Sequence, residues 1–381
     1  MTSPTRFETI STIERFGSLR EEWERLWVRV GGGFGQDFEF CLHALRDIAI
    51  PEGAQLHCIV AWKGNRLVLV WPLVRYRELF WRAIRPLAPD GSVCTNVLAE
   101  EGPEYRELVD SAWRMLSEQG GFDLLTLPRV RTGSLLFDHV SRCSTVERAE
   151  ASEIAIVRSR LRGDWDSFRQ SLPAKQRKEL DTWKRRLDRE GKVSMYVADL
   201  RDSASTSLID DLFLWKQQWA EKTGKKGTFF SPNFHSFLVG LLKDTAASGR
   251  FPLFVLAMNG RPIAVNLVAV EARTVHGVQA AFDVEYGKFT PGAVLLEYVL
   301  KWAFESGRDF DFGAGGGKYK AVWAQDSSYS STDFRISTSQ WGRFAFLLSD
   351  LRRWYRSRSL NNPRTKPLAV HGDPLRSELE P

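Results

Sequence analysis

Cysteine is scarce. The 381-residue chain has four, Cys41, Cys58, Cys94 and Cys143, all within the first 150 residues and none in a CxxC spacing. This pattern offers no disulfide framework and fits free, buried thiols in a reducing cytoplasm. Cys41-Leu42-His43 and His57-Cys58 come nearest to a ligand pair, but neither recurs at a zinc-site spacing, so no metal is expected. Long apolar runs are also missing. No stretch approaches the ~20 apolar residues of a spanning helix, and MTSPTRFETI has no apolar signal-peptide core. The expected location is cytoplasmic, extending to the inner face of the membrane.

Nucleotide-hydrolysis motifs are absent as well, although one stretch imitates them. Phe310 to Ala324 reads FDFGAGGGKYKAVWA, with four glycines in five residues. A P-loop needs Ser or Thr after Gly-Lys to ligate magnesium, and here Tyr319 follows Gly317-Lys318. A dinucleotide fingerprint begun at Gly313-x-Gly315 meets Lys318 where its third glycine belongs.

What is present is a normal globular composition, 43% apolar and 26% charged, with 14 Trp. Such length favours two domains. Aromatics at 12% point to wide apolar pockets or a wet interface. The net charge of +6 is uneven: between Arg343 and Lys366 seven basic residues face Asp350 alone. Lys175 to Lys192 is also basic, which suits the solvated face of an amphipathic helix broken from the preceding turns at Pro173.

The order of elements repeats. Leu19, Trp23, Leu26, Trp27 and Val30 line one helical face, and Trp215-x-x-x-Trp219 matches Trp23-x-x-x-Trp27 at an offset of 192 residues. Strands at 56–62 and 66–75 are echoed from Leu253 onward by strand, Asn259-Gly260 turn and strand. Helices at 104–118 and 291–305 each precede a strand, and Phe122-Asp123-Leu124 matches Phe310-Asp311-Phe312 at an offset of 188. The expected fold class is α/β: two tandem modules, each a mixed central sheet flanked by helices, over 1–150 and 155–345, then a basic helix and disordered tail over 346–381.

The second module carries the candidate chemistry. In Thr290-Pro291-Gly292-Ala293-Val294, Thr290 suits an N-cap and Pro291 the first helical position. Free N–H groups of Gly292, Ala293 and Val294 would then attract an anion. The ordinary alternative is a well-capped helix. Asp283 closes the strand before this loop, and Asp311 stands on the next strand. Either carboxylate suits a general base, and Asp311 equally suits a cap of the glycine turn. Tyr319 suits proton donation to a leaving group or a place in the core. Lys318 and Lys320 suit a phosphate or an acidic substrate.

The series Asp283, Tyr286, Thr290-Pro291-Gly292, Gly307-Arg308, Phe310-Asp311-Phe312-Gly313 and Tyr319-Lys320-x-x-Trp323 resembles the GNAT-type acyltransferases of the cellulose-biosynthesis (CelD/BcsL) group. That group is related to the Fem-type aminoacyl transferases, which are built from two GNAT-like modules. The pattern Lys175-x-Arg177-Lys178 is similar to the Fem type. The resemblance implies acyl transfer from acetyl- or acyl-coenzyme A to an amine. The thioester would lie in a V between two central strands and the pyrophosphate on the helix starting at Thr290-Pro291-Gly292. Gly102-Pro103 replaces Pro-Gly in the first module, so only the second is expected to bind the donor. The acceptor would be an amino sugar of an exopolysaccharide precursor or a lipid amine. Transfer from aminoacyl-tRNA and a non-catalytic anion-binding regulator are the alternatives, and no DNA partner is expected.

In residues 342–358, Phe344, Leu347, Leu348, Leu351 and Trp354 share a helical face opposite several arginines. Such a helix suits an anionic membrane surface or packing on the second module. Its arginines would also suit a phosphorylated regulator such as a cyclic dinucleotide.

Overall fold

The computed structural model describes residues 4–89, 93–100, 103–202, 206–223, 231–315 and 317–348. These form two compact units. Of the described residues, unit one holds 4–88, 94–100, 103–152 and 330–348; unit two holds those of 153–329 together with Pro89 and Val93.

Unit one comprises β1 (Thr5–Ile10), α1 (Ile13–Gly17), α2 (Arg20–Val30), α3 (Phe38–His43), β2 (Gln55–Leu56), β3 (Cys58–Lys63), β4 (Arg66–Trp71), β5 (Leu73–Glu78), β6 (Trp81–Pro86), β7 (Leu98–Ala99), α4 (Pro103–Gln119), β8 (Leu124–Arg131) and α5 (Leu135–Val140). β9 (Val146–Val157) leads across to unit two. There follow α6 (Trp165–Ser171), α7 (Ala174–Glu190), β10 (Val193–Val197), α8 (Thr206–Thr223), α9 (Pro232–Thr245), β11 (Leu253–Met258), β12 (Arg261–Val270), β13 (Thr274–Phe282), α10 (Pro291–Glu305), β14 (Asp309–Asp311) and α11 (Lys318–Ala324). β15 (Ser328–Ser337) carries the chain back to unit one, where residues 340–348 are helical.

Both units are mixed α/β and repeat one motif. In unit two the antiparallel hairpin β11–β12 is followed by β13, α10 and β14, parallel to β13; in unit one the hairpins β3–β4 and β5–β6 precede α4 and β8, which is parallel to β6. In unit one Ala83 and Ile84 face Leu124 and Leu125; in unit two Thr274, Val275 and His276 face Asp309, Phe310 and Asp311. Local chemistry explains the turns. Asn259 and Gly260 both have positive φ, 51° and 82°, which is the backbone of a two-residue hairpin turn. The strand expected over 66–75 divides at Pro72, which has no N–H for a ladder: β4 pairs with β3 and β7, β5 with β6 and β2.

α2 and α8 each bury the first Trp of the repeated pair, Trp23 and Trp215. In unit two α6 and α7 separate at Pro173 and bury Phe168, Leu180 and Leu187 beside Phe254, Val275, Phe310 and Trp323.

One boundary differs from the expectation. Residues 330–345 belong to unit one, because β15 adds to β8 there, with Thr332 facing Val130 and Ile336 facing Leu125. The basic segment and tail lie outside the described residues from 349 onward, so the arginines proposed for a lipid surface or a cyclic dinucleotide are described only at Arg343. Among the described residues no helix is long and apolar enough to cross a membrane.

Candidate active site

β13 and β14 pair for only three residues. Their parallel register ends at His276↔Asp311, yet β13 runs on to Phe282, while Phe312 N–H turns instead to Ala155 O at 3.2 Å. The register with β12 also slips here: Gly277 faces Val268 and Gln279 faces Leu267, leaving Val278 as a bulge. Bulges twist a strand away from its neighbour and are common beside active sites. The result is a cleft. Residues 276–280 are all half-buried, although β13 lies between two strands, whereas every residue of β11 is buried. Gly313, at φ +67°, closes the apex: a Cβ there would stand 3.4 Å from Gly277 O.

Asp311 sits at that apex, buried, with both oxygens engaged. Oδ1 accepts Gly313 N–H at 2.7 Å, and Oδ2 accepts the Tyr329 hydroxyl at 2.7 Å. His276 Nδ1 is 3.4 Å from Oδ2, and its Nε2 is 2.9 Å from Glu271 Oε2. Burial opposes charge on His276, but the two carboxylates outweigh it and raise the imidazole to about 10, so it is charged at neutral pH. Burial pulls Asp311 upward, and His276, Tyr329 and Gly313 together bring it below the ordinary carboxylate range. An acid so stabilised as its anion is a poor proton acceptor. The bonds of Asp311 are those of an anchor, the turn-capping alternative.

Lys320 is engaged within the loop as well. Its ammonium donates to Phe312 O at 3.1 Å, Gly313 O at 3.3 Å and Ala314 O at 3.0 Å, which uses all three donors on the glycine loop. Burial lowers its pKa, partly offset by Asp311. Lys320 therefore folds the loop and has no donor left for a phosphate. Lys318 is exposed on the first turn of α11. Gly317 makes room for Tyr319, whose ring would lie 2.8 Å from a Cβ there. Tyr319 is half-buried with its edge to Phe312, and burial raises its hydroxyl pKa. Among the described residues that hydroxyl has no hydrogen bond.

The helix start departs from expectation in detail. Thr290 is the N-cap residue of α10, but at φ 54° its side chain caps nothing. Its carbonyl accepts Ala293 N–H at 3.2 Å and Val294 N–H at 3.4 Å, and Pro291 has no N–H, so only Gly292 N–H is left open among the described residues. A Cβ on Gly292 would press Phe282 Cδ1 at 3.2 Å. Asp283 caps the turn before it, accepting Glu285 N–H at 3.0 Å, and pairs with Arg261 at 2.7 Å. Asp283 lies seven residues beyond His276, roughly 20 Å along the strand. The two candidate bases are not brought together.

A cleft opened between two parallel strands, a helix start at the far end of the first strand and a glycine turn after the second now stand together. Residues 174–321 match the acetyltransferase (GNAT) domain. That match marks this stretch as an acyltransferase domain. No curated protein sequence matches the chain. Among solved structures it is similar to FemX (11% identity, TM-score 0.56, covering 88% of this chain and 98% of that one). It is also similar to the C-terminal domain of a putative lysylphosphatidylglycerol synthetase from Agrobacterium fabrum (12%, 0.53, 87% and 96%). A third is L-PGS from Bacillus licheniformis (13%, 0.54, 87% and 95%). At such identities these neighbours show a shared fold.

Within the GNAT domain, Asp311, Tyr319 and Lys320 converge on the glycine turn, whereas Asp283 and Thr290–Val294 gather at the other end of β13. His276, Glu271 and Tyr329 were not legible beforehand. Only the period-two spacing of a strand links His276 to a face, and no local pattern ties Tyr329, eighteen residues on, to Asp311.

Proposed function

We propose that the protein is a coenzyme A-dependent N-acyltransferase whose donor lies along the open side of β13. The observation that carries this reading is the parting of β13 from β14 after His276↔Asp311 with residues 276–280 half-exposed. The strand edge there offers backbone N–H groups where a thioester oxygen would develop negative charge. The pyrophosphate would meet Gly292 N–H at the positive end of α10, whose first turn holds no acid, with the exposed Lys288 nearby.

The reaction forms an amide from a thioester and an ammonium acceptor. The acceptor first loses a proton to water. Its amine then attacks the thioester carbonyl, the C–S bond breaks as the tetrahedral adduct collapses, and the thiolate takes a proton. Tyr319 is the group proposed to pass that proton from the new amide nitrogen to sulfur, so it ends neutral. Asp311 and Lys320 position the loop that bears it.

The acceptor classes proposed are an amino sugar of an exopolysaccharide precursor, following the cellulose-biosynthesis resemblance, and a lipid amine. The basic helix α7 speaks less for tRNA than its composition suggested. Lys184 is 2.8 Å from the buried Glu297, alongside Arg169 at 2.7 Å, and Lys175 faces Glu179.

The test is thiol release from acetyl- and longer acyl-coenzyme A with glucosamine or phosphatidylethanolamine as acceptor, beside calorimetry of coenzyme A binding. Binding with turnover of one acceptor supports the reading. No binding of coenzyme A by the folded protein sinks it.

A further inference from the structure

In unit one, the turn between β5 and β6 consists of Leu79 and Phe80, 62% and 79% exposed. Two-residue hairpin turns select Asn, Asp or Gly because they require positive φ. Leu79 nevertheless adopts φ 55°, an uncommon backbone for a γ-branched residue held out in water. The tip does not stand alone. Phe80 touches Trp81, and Trp81 packs on Trp341 at 5.3 Å and donates its indole N–H to Trp341 O at 2.8 Å. Trp341 stacks on Phe344 at 5.6 Å, and Leu347 follows one helical turn later. Trp341, Phe344 and Leu347 are all exposed, and the contacts through Trp81 bring this helix face beside the turn of Leu79 and Phe80.

Its charges are equally unsuited to a purely structural role. Arg77 and Arg82 lie directly opposite each other across the hairpin. Like charges in that position destabilise a strand pair. Arg82 has Asp123 at 3.7 Å, while Arg77 has no carboxylate partner among the described residues. Glu78 is the acid at the tip, 3.5 Å from the Tyr76 hydroxyl. Further along the sequence stand Arg352, Arg353, Arg356 and Arg358.

We propose that this patch docks unit one on an anionic lipid bilayer. Leu79, Phe80, Trp341, Phe344 and Leu347 enter the interface, and Arg77 and Arg82 meet lipid phosphates. Aromatic side chains beside arginines suit that boundary, where one end of each ring is apolar and the other wet. A water-facing hairpin needs neither the apolar tip nor the opposed arginines. An anionic membrane uses both. The inference is independent of the acyl acceptor, because its readout is binding and not turnover.

The experiment is flotation of the full chain with phosphatidylcholine vesicles, with and without a third of phosphatidylglycerol, beside light scattering for oligomeric state. Wild type is expected to float with the anionic vesicles only. Leu79→Ser/Phe80→Ser and, separately, Phe344→Ser should each weaken partitioning about tenfold or more. Arg77→Gln should weaken it about fivefold. An unchanged thermal melt shows that these exposed changes leave the fold intact. Failure of wild type to float overturns the proposal. So does a variant set that floats like wild type, which would assign binding to the tail alone. A dimeric wild type made monomeric by Leu79→Ser/Phe80→Ser also overturns it, since a second copy would then cover the patch.

Discussion

Tyr329 donates its hydroxyl to Asp311 at 2.7 Å, on the carboxylate that also fixes Gly313 and faces His276. The apex of the cleft is thus an ion pair in which Asp311 holds its charge and the imidazole holds its proton. Several measurable consequences follow from who is already bonded to whom.

His276 should make stability fall as pH rises. Its folded pKa, about 10, is above the ordinary 6.5. The stabilisation is therefore complete below pH 6.5 and is lost as pH climbs through about 10, at a slope of at most about 1.4 kcal/mol per pH unit. Asp311, held below the ordinary carboxylate range, remains ionised throughout this window. Denaturant unfolding at several pH values should show the slope in wild type and lose it in His276→Gln, which should itself be destabilised by roughly 3–5 kcal/mol, as expected when a buried pair loses one partner. Equal slopes in the two proteins would contradict the cluster.

Lys320→Met should lower the melting temperature. The loss of charged hydrogen bonds to three loop carbonyls corresponds to about 1.5–3 kcal/mol. Turnover should fall with it as the turn bearing Tyr319 loosens. A phosphate-binding lysine predicts the reverse pattern, weaker coenzyme A binding with an unchanged melt. Calorimetry beside thermal unfolding separates the two.

Tyr319→Phe should reduce turnover by roughly 10²–10⁴ with little change in donor affinity, the range for loss of a proton-transfer group. Asp283→Asn should leave turnover within about twofold, since asparagine can still cap the turn at Glu285. A large loss in Asp283→Asn with none in Tyr319→Phe would reverse the assignment.

Gly277→Val and Gly313→Val should differ. A Cβ on Gly277 meets Phe310 only at 3.5 Å, so the fold tolerates it while the side chain fills the apex of the cleft and turnover drops. Gly313 is at φ +67°, where a β-branched residue is strained by about 1–2 kcal/mol, so this variant should lose stability first. Melts and steady-state rates on the pair check the contrast; similar melts would argue against a strained loop.

The α/β class, the repeated order of elements, the Asn259-Gly260 turn, the break at Pro173 and the helix beginning at Pro291 were legible in the chain, because each rests on chemistry within a few residues. Period-two and period-3.6 patterns, a positive-φ turn pair and a ring that fixes φ all act locally. The glycine run was also legible as neither a P-loop nor a dinucleotide fingerprint. What each residue does there was decided by tertiary structure. His276 and Tyr329, partners of Asp311 beside the Gly313 amide, and the three carbonyls that take the Lys320 protons come from segments that no local pattern links. The return of residues 330–348 to unit one was likewise hidden, since β15 joins β8 across about two hundred residues of sequence. Ionisation and pairing depend on which groups share a buried space. That is set by contacts between distant segments, and no local pattern encodes it.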